Sequence, residues 1–85
     1  MAEIVTTNTT HQHATPSSGD TVVFSRSARH LFFVVTGGTA QVAIGSDGSD
    51  GYLTLPVGYH EMYNAHAKFV TVGAASTLEI LGVSL

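Results

Sequence analysis

Apolar residues in this chain come in short bursts between turns, and nowhere in the 3.6-residue rhythm of an amphipathic helix. The densest burst is Leu31-Phe32-Phe33-Val34-Val35, apolar at every position. A run of that length suits a strand buried on both faces. Gly37-Gly38 closes it. Beyond that pair, Ala40, Val42 and Ile44 alternate with Thr39, Gln41 and Ala43, the period-2 pattern of a half-buried strand. Glycine accepts the positive φ of primed hairpin turns, so residues 31–45 are expected to form a β-hairpin around Gly37-Gly38. Phe32 and Val34 share one face of its first strand and need cover, from a second layer or from a partner.

The rest of the chain repeats this grammar. Thr21-Val22-Val23-Phe24-Ser25 is a strand, and Ser25-Arg26-Ser27-Ala28 reads as a polar loop. Residues 45–51, rich in Gly, Ser and Asp, make a long turn before Tyr52-Leu53-Thr54-Leu55. Leu55-Pro56-Val57-Gly58 is a corner, because proline presets φ and glycine admits the left-handed region. Short strands follow at residues 59–63, 68–72 and 77–85, separated by turns at 64–67 and 73–76. Roughly seven short strands at about 8–12 residue spacing indicate a sandwich or barrel. The fold class is therefore all-β: a small antiparallel β-sandwich or jelly roll. Its expected core is Val22, Phe24, Leu31, Phe33, Val35, Val42, Ile44, Leu53, Leu55, Val70, Val72, Leu78, Ile80 and Val83.

Residues 1–20 differ. Thr6-Thr7-Asn8-Thr9-Thr10 and His11-Gln12-His13-Ala14-Thr15-Pro16-Ser17-Ser18-Gly19-Asp20 are polar, and Ile4 and Val5 are the only large aliphatics. Threonine favours extended backbone. The expected organisation is an extended N-terminal arm, 1–20, and a β-sandwich domain, 21–85. The arm lies on its own domain or on a neighbour. Strand addition to a neighbour's sheet edge makes Ile4, Val5, Thr6 and Thr7 expected partner contacts, together with Phe32 and Val34. On that reading, deleting residues 1–18 weakens assembly and leaves the fold.

Composition changes this picture in one direction. The chain has 85 residues and no cysteine, so a single small core must do without disulfides or thiolate metal sites. Oligomerisation is the remaining common supplement. Only 11% of residues are charged, against roughly 25% in ordinary domains, and wide uncharged surface marks contact sites. With Arg26, Arg29 and Lys68 as the fixed cations and a net charge of -3, phosphate neutralisation on a nucleic acid is not expected. No apolar run reaches the roughly 20 residues of a membrane span. The N-terminus lacks a basic region ahead of an apolar core, so no signal peptide is read there, and synthesis in the cytoplasm is expected.

Candidate chemistry is sparse. His11 and His13 lie two apart, so in an extended segment they share a face and could share a metal, but solvated histidines are the plainer reading. Asp47-Gly48-Ser49-Asp50-Gly51 carries oxygen ligands without the spacing of a calcium loop and reads as a polar turn. No Gly-x-Ser-x-Gly elbow is present, and His60 and Glu61 are neighbours that face opposite sides of a strand. Pro56, Gly58, His60 and Asn64 resemble the second cupin motif, with the histidine one residue early and the first motif missing. That resemblance supports an alternative, a cupin-like metal- or sugar-binding protein using His60, Glu61 and Tyr63. No catalytic, cofactor-binding or metal-ligating residue is assigned.

A second resemblance rests on Arg29-His30-Leu31-Phe32-Phe33-Val34, Gly38-Thr39-Ala40-Gln41-Val42, Leu55-Pro56-Val57-Gly58 and Val72-Gly73-Ala74-Ala75-Ser76-Thr77-Leu78-Glu79-Ile80-Leu81. Over residues 20–85 the chain resembles small β-rich accessory proteins of tailed-bacteriophage virions, of the head-decoration (cement) or spike-base type. The resemblance implies a non-enzymatic homo-oligomer, often trimeric, on the capsid surface. Its partners would be itself and the major capsid protein, with no nucleic acid, membrane or cofactor. A tail or head-tail joining component is a further alternative.

Overall fold

The computed structural model describes residues 2–75 and 77–84. Among these residues nine strands form and no helix: β1 (Glu3–Val5), β2 (His11–Ala14), β3 (Thr21–Ala28), β4 (His30–Thr36), β5 (Ala40–Ile44), β6 (Leu53–Leu55), β7 (Gly58–Met62), β8 (Ala67–Ala74) and β9 (Thr77–Val83). Ser76 and Leu85, expected in a turn and at the end of the last strand, lie outside the described residues.

The strands divide into a five-stranded sheet, β1-β3-β8-β5-β6, and a four-stranded sheet, β2-β9-β4-β7. Strands β2–β9 thus form the two facing four-strand layers of a jelly roll, and β1 extends one layer by pairing parallel with β3. The core lies between the sheets. Phe24 from β3 and Leu31 and Phe33 from β4 are its largest members and are fully covered. Small residues let the layers approach: a methyl group at Gly82 would stand 2.6 Å from the Phe24 ring and 2.9 Å from Ala28. The Phe24 ring therefore rests on the bare backbone of β9.

The expected hairpin at residues 31–45 is not one. β4 pairs with β7 and β9, whereas β5 pairs with β6 and β8, so Gly37-Gly38 carries the chain from one sheet to the other. Both glycines have positive φ, 72° and 138°, which allows so abrupt a change of direction. Local sequence reports a tight turn equally well in either case. The corner at Pro56-Val57-Gly58 does pass between sheets, and residues 45–51 do join paired strands, β5 and β6.

Two expected core residues sit elsewhere. Leu53 is half exposed, because β6 is a three-residue edge strand, and Val83, though buried, lies on the outer side of β9 with Glu79 and Leu81, outside the core cluster. Ile44 is half-buried and packs against the core. Gln41 opposes Ala74 while Val42 opposes Val72. Gly73 is thus an extra residue on β8, a bulge; past it Ala43, on the opposite side of β5 from Val42, is buried as well.

The N-terminal segment is extended, and it lies on its own domain. β1 joins the five-stranded sheet and β2 pairs antiparallel with β9 in the other. A boundary after residue 20 therefore does not separate two structural units. Polar composition concealed this, because β2 buries Gln12 and Ala14 while exposing His11 and His13. Ser25-Arg26-Ser27-Ala28, expected as a loop, continues β3. The β3–β8 register breaks between Val23 and Ala28, and there the backbone of Arg26 bonds to the Gln12 side chain.

Candidate interaction surface

The outer face of the four-stranded sheet is assembled from alternate residues of four strands. Register places His13 beside Leu81, Leu81 beside Phe32, and Phe32 beside Glu61. The next row toward one end is His11, Val83 and His30, with Tyr63 following β7. Toward the other end come Glu79, Val34 and Tyr59. A face with this many large apolar groups is unusual for the solvent side of an antiparallel sheet.

The aromatic groups organise around Phe32. Its ring lies nearly parallel to Tyr59, with centroids 6.3 Å apart, and edge-on to Tyr63 at 6.0 Å. His30 meets Tyr63 edge-on at 5.2 Å. Such pairs add about 0.5–1.5 kcal/mol beyond burial, so they hold the rings in one arrangement. Phe32 is half-buried, and Val34 and Tyr59 are exposed. A shallow groove of about 460 Å³ runs between β2 and β7 over Phe32, Val34, Leu81 and Tyr59.

Polar groups sit at the two borders. On β7, Tyr59 and Tyr63 both donate their hydroxyls to Oε2 of Glu61, at 3.1 and 2.9 Å. Both phenols are held above their ordinary pKa. For Tyr59 partial desolvation is the leading cause, followed by the bond to Glu61. For Tyr63 the bond to Glu61 leads. On the β2 border, His11 and His13 are exposed, and Nε2 of His13 is 3.6 Å from Oε1 of Glu79.

The expected contact residues are therefore split. Phe32 and Val34 lie on this face. Ile4 and Val5 belong to β1 of the other sheet, and Thr6 and Thr7 follow it. Ile4 packs half-buried against the core, and Val5 is 56% exposed. Thr7 is exposed. Thr6 is not available to a partner: it is buried, its N–H donates to the Val23 carbonyl, and its hydroxyl donates to Gln12 and accepts from the Ser25 N–H. Its carbonyl accepts from the Ser25 hydroxyl.

Tyr59, Glu61, Tyr63, Leu81 and the two histidines belong to the face but were not foreseen as one surface. The period-2 spacings 11/13, 30/32/34, 59/61/63 and 79/81/83 were readable, but not which strands adjoin. His60 lies on the opposite side of β7 from Glu61, half-buried, and its Nε2–H donates to the Pro56 carbonyl at 2.6 Å. The cupin-like set His60, Glu61 and Tyr63 is thus divided between two faces. His66 sits in a turn with φ of 49°. No group of three or more metal-capable side chains occurs among the described residues. At the 45–51 turn the Ser49 N–H bonds to Asp47 Oδ1 at 2.9 Å, and bonding to Ser49 lowers the Asp47 pKa. No described helix is long and apolar enough to cross a membrane. No protein-family profile matches this sequence, and comparison with curated proteins finds no relative.

Proposed function

We propose that this chain is a non-enzymatic structural protein of a virus particle. In this reading it is a capsid decoration protein that braces adjacent capsomers and meets its partners through the outer face of the β2-β9-β4-β7 sheet. The observation that carries the reading is the uncovered apolar centre of that face, Phe32, Val34, Leu81 and Tyr59, on a domain with so few charges. Covering apolar area contributes about 25 cal/mol per Å². For a small cysteine-free domain this is the largest stabilisation still to be gained. Jelly rolls serve capsids, lectins and cupins alike, so the fold permits the role without selecting it. The resemblance of residues 20–85 to phage accessory proteins supports a virus particle as the partner.

The test is co-sedimentation with particles assembled from the major capsid protein that this reading expects in the same genome. Wild-type protein is expected to pellet with them at saturable stoichiometry. Val34→Lys and Tyr59→Ser, both at exposed positions, are expected to reduce pelleting while the domain stays folded. Wild-type protein that stays in the supernatant at every concentration overturns the decoration role. Binding only to tail or connector structures moves the protein to those sites.

A further inference from the structure

We propose that the outer face of the β2-β9-β4-β7 sheet docks on a second copy of itself, around a two-fold axis parallel to the strands. One row of the sheet is complementary to its own reverse. Reading across the strands, register gives His13, Leu81, Phe32 and Glu61. A two-fold along the strand direction turns this row over and lays it on its own reverse. His13 then faces Glu61 of the second copy, Leu81 faces Phe32, Phe32 faces Leu81, and Glu61 faces His13. The apolar pair meets the apolar pair, and each border imidazole meets a carboxylate.

The neighbouring row behaves alike. His11 faces Tyr63 of the second copy, a donor opposite a hydroxyl, and Val83 faces His30. In the third row Glu79 would face Val34, but Glu79 is already beside His13 of its own chain. Among the described residues, both tyrosine bonds to Glu61 use Oε2, which leaves Oε1 for an incoming donor. An axis across the strands would instead place histidines on histidines and Glu61 on Glu61. Charge complementarity therefore favours one docking direction, and isologous contact of this kind closes as a dimer. Sheets packed with strands nearly aligned are an ordinary arrangement.

Size sets the strength. Four strands at about 4.8 Å and about seven residues at about 3.3 Å cover roughly 400 Å² per copy. The total of roughly 800 Å² falls in the class of weak, exchanging complexes. This dimer rests on the face being a contact surface, as under the proposed function; the second copy and the particle take the same face in turn, so the dimer is the form the chain keeps off the particle. A chain that stays monomeric yet binds particles through Val34 leaves the function standing and removes the dimer.

Two experiments test it on the full chain. In sedimentation equilibrium, wild-type protein is expected to fit a monomer–dimer equilibrium. Glu61→Lys and His13→Glu are each expected to weaken it at least about tenfold. An equimolar mixture of the two variants is expected to recover dimer, because one contact is then wild-type and the other charge-reversed. A monomer at all concentrations, a trimer, or variants that dimerise like wild type overturns the proposal. The second experiment does not depend on charge. The chain has no cysteine, and the two-fold sets position 13 of one copy opposite position 61 of the other across the roughly 10 Å between facing sheets, beyond the roughly 7 Å a disulfide spans. In the double variant His13→Cys, Glu61→Cys, a short flexible bis-maleimide is therefore expected to yield covalent dimer, with position 13 linked to position 61 of the other copy. Monomer alone under the same conditions overturns the two-fold.

Discussion

The side chain of Gln12 pairs with the backbone of Arg26 as an adjacent strand would. Its Oε1 accepts the Arg26 N–H at 3.1 Å, and its Nε2 donates to the Arg26 carbonyl at 2.8 Å. Thr6 Oγ1 donates to the same Oε1 at 2.8 Å, and Nε2 also reaches Ser84 Oγ at 2.6 Å. The amide thus uses its full hydrogen-bonding capacity at a fully buried position. It joins β2 of one sheet to β3 of the other where β3 has left β8.

Gln12→Leu keeps the volume and removes all four bonds. It leaves the buried Thr6 hydroxyl and the part-buried Arg26 N–H short of a partner, at a cost of about 1–3 kcal/mol for each such group. A total loss of about 2–4 kcal/mol is expected, seen as a lower Tm by about 10–25 °C in a domain of this size. Thermal denaturation followed by circular dichroism checks it. A variant that melts with wild type shows that Gln12 is not the tie between the sheets.

The N-terminal segment gives a prediction opposite to the one its composition suggests. Removing residues 1–18 takes away β1, β2, the Gln12 bridge and the cover Ala14 gives the core. It also exposes one edge of β9, which pairs with β2. The truncated chain is expected to be unfolded or aggregated when isolated, with collapsed chemical-shift dispersion in an NMR spectrum. A truncated chain with wild-type dispersion would restore the arm as a separate unit.

That reversal shows what the sequence carried. Alternation and turn residues are local, and they found the strands from residue 21 onward and a core from Val22 to Ile80. Leu53 misled because an apolar residue on a short edge strand has too little sheet over it. Gly37-Gly38 misled because a turn within a sheet and a crossing between sheets need the same backbone freedom. β2 was hidden because its inward residues are Gln12 and Ala14. A buried glutamine reads as polar surface until its partners, 6, 14 and 72 positions away, are brought to it. The interaction face was half legible for the same reason: Phe32 and Val34 share one strand, whereas Tyr59 and Leu81 reach them only through long-range pairing.

The contact between Phe24 and Gly82 makes a sharp packing prediction. A Cβ at Gly82 would collide with the Phe24 ring and with Ala28 on the opposite layer, and neither can retreat within a filled core. Gly82→Ala is expected to destabilise by about 1–3 kcal/mol through overpacking. The double variant Gly82→Ala, Phe24→Leu should be less unstable than the two single losses added together, because the smaller side chain gives way to the methyl group. Denaturant unfolding of the four proteins measures the coupling, and strict additivity would mean the two residues do not press on each other.

The border of the outer face can be read by alkaline titration. Tyr59 and Tyr63 both bond to Glu61, and in both the pKa is raised, so the phenols keep their protons above the ordinary value of 10.0. The sign follows directly. A pKa higher in the folded than in the unfolded chain means that the stabilisation is complete below the unfolded value. It is lost as pH rises through the folded one. Wild-type protein should therefore weaken above about pH 10, as each phenolate loses its bond and repels the carboxylate. In Glu61→Gln the nearby charge is gone, and a neutral amide oxygen accepts more weakly than a carboxylate. Ultraviolet titration of the variant should show part of the tyrosine absorbance change moving to lower pH. Superimposable curves for variant and wild type would show that Glu61 does not govern the two phenols.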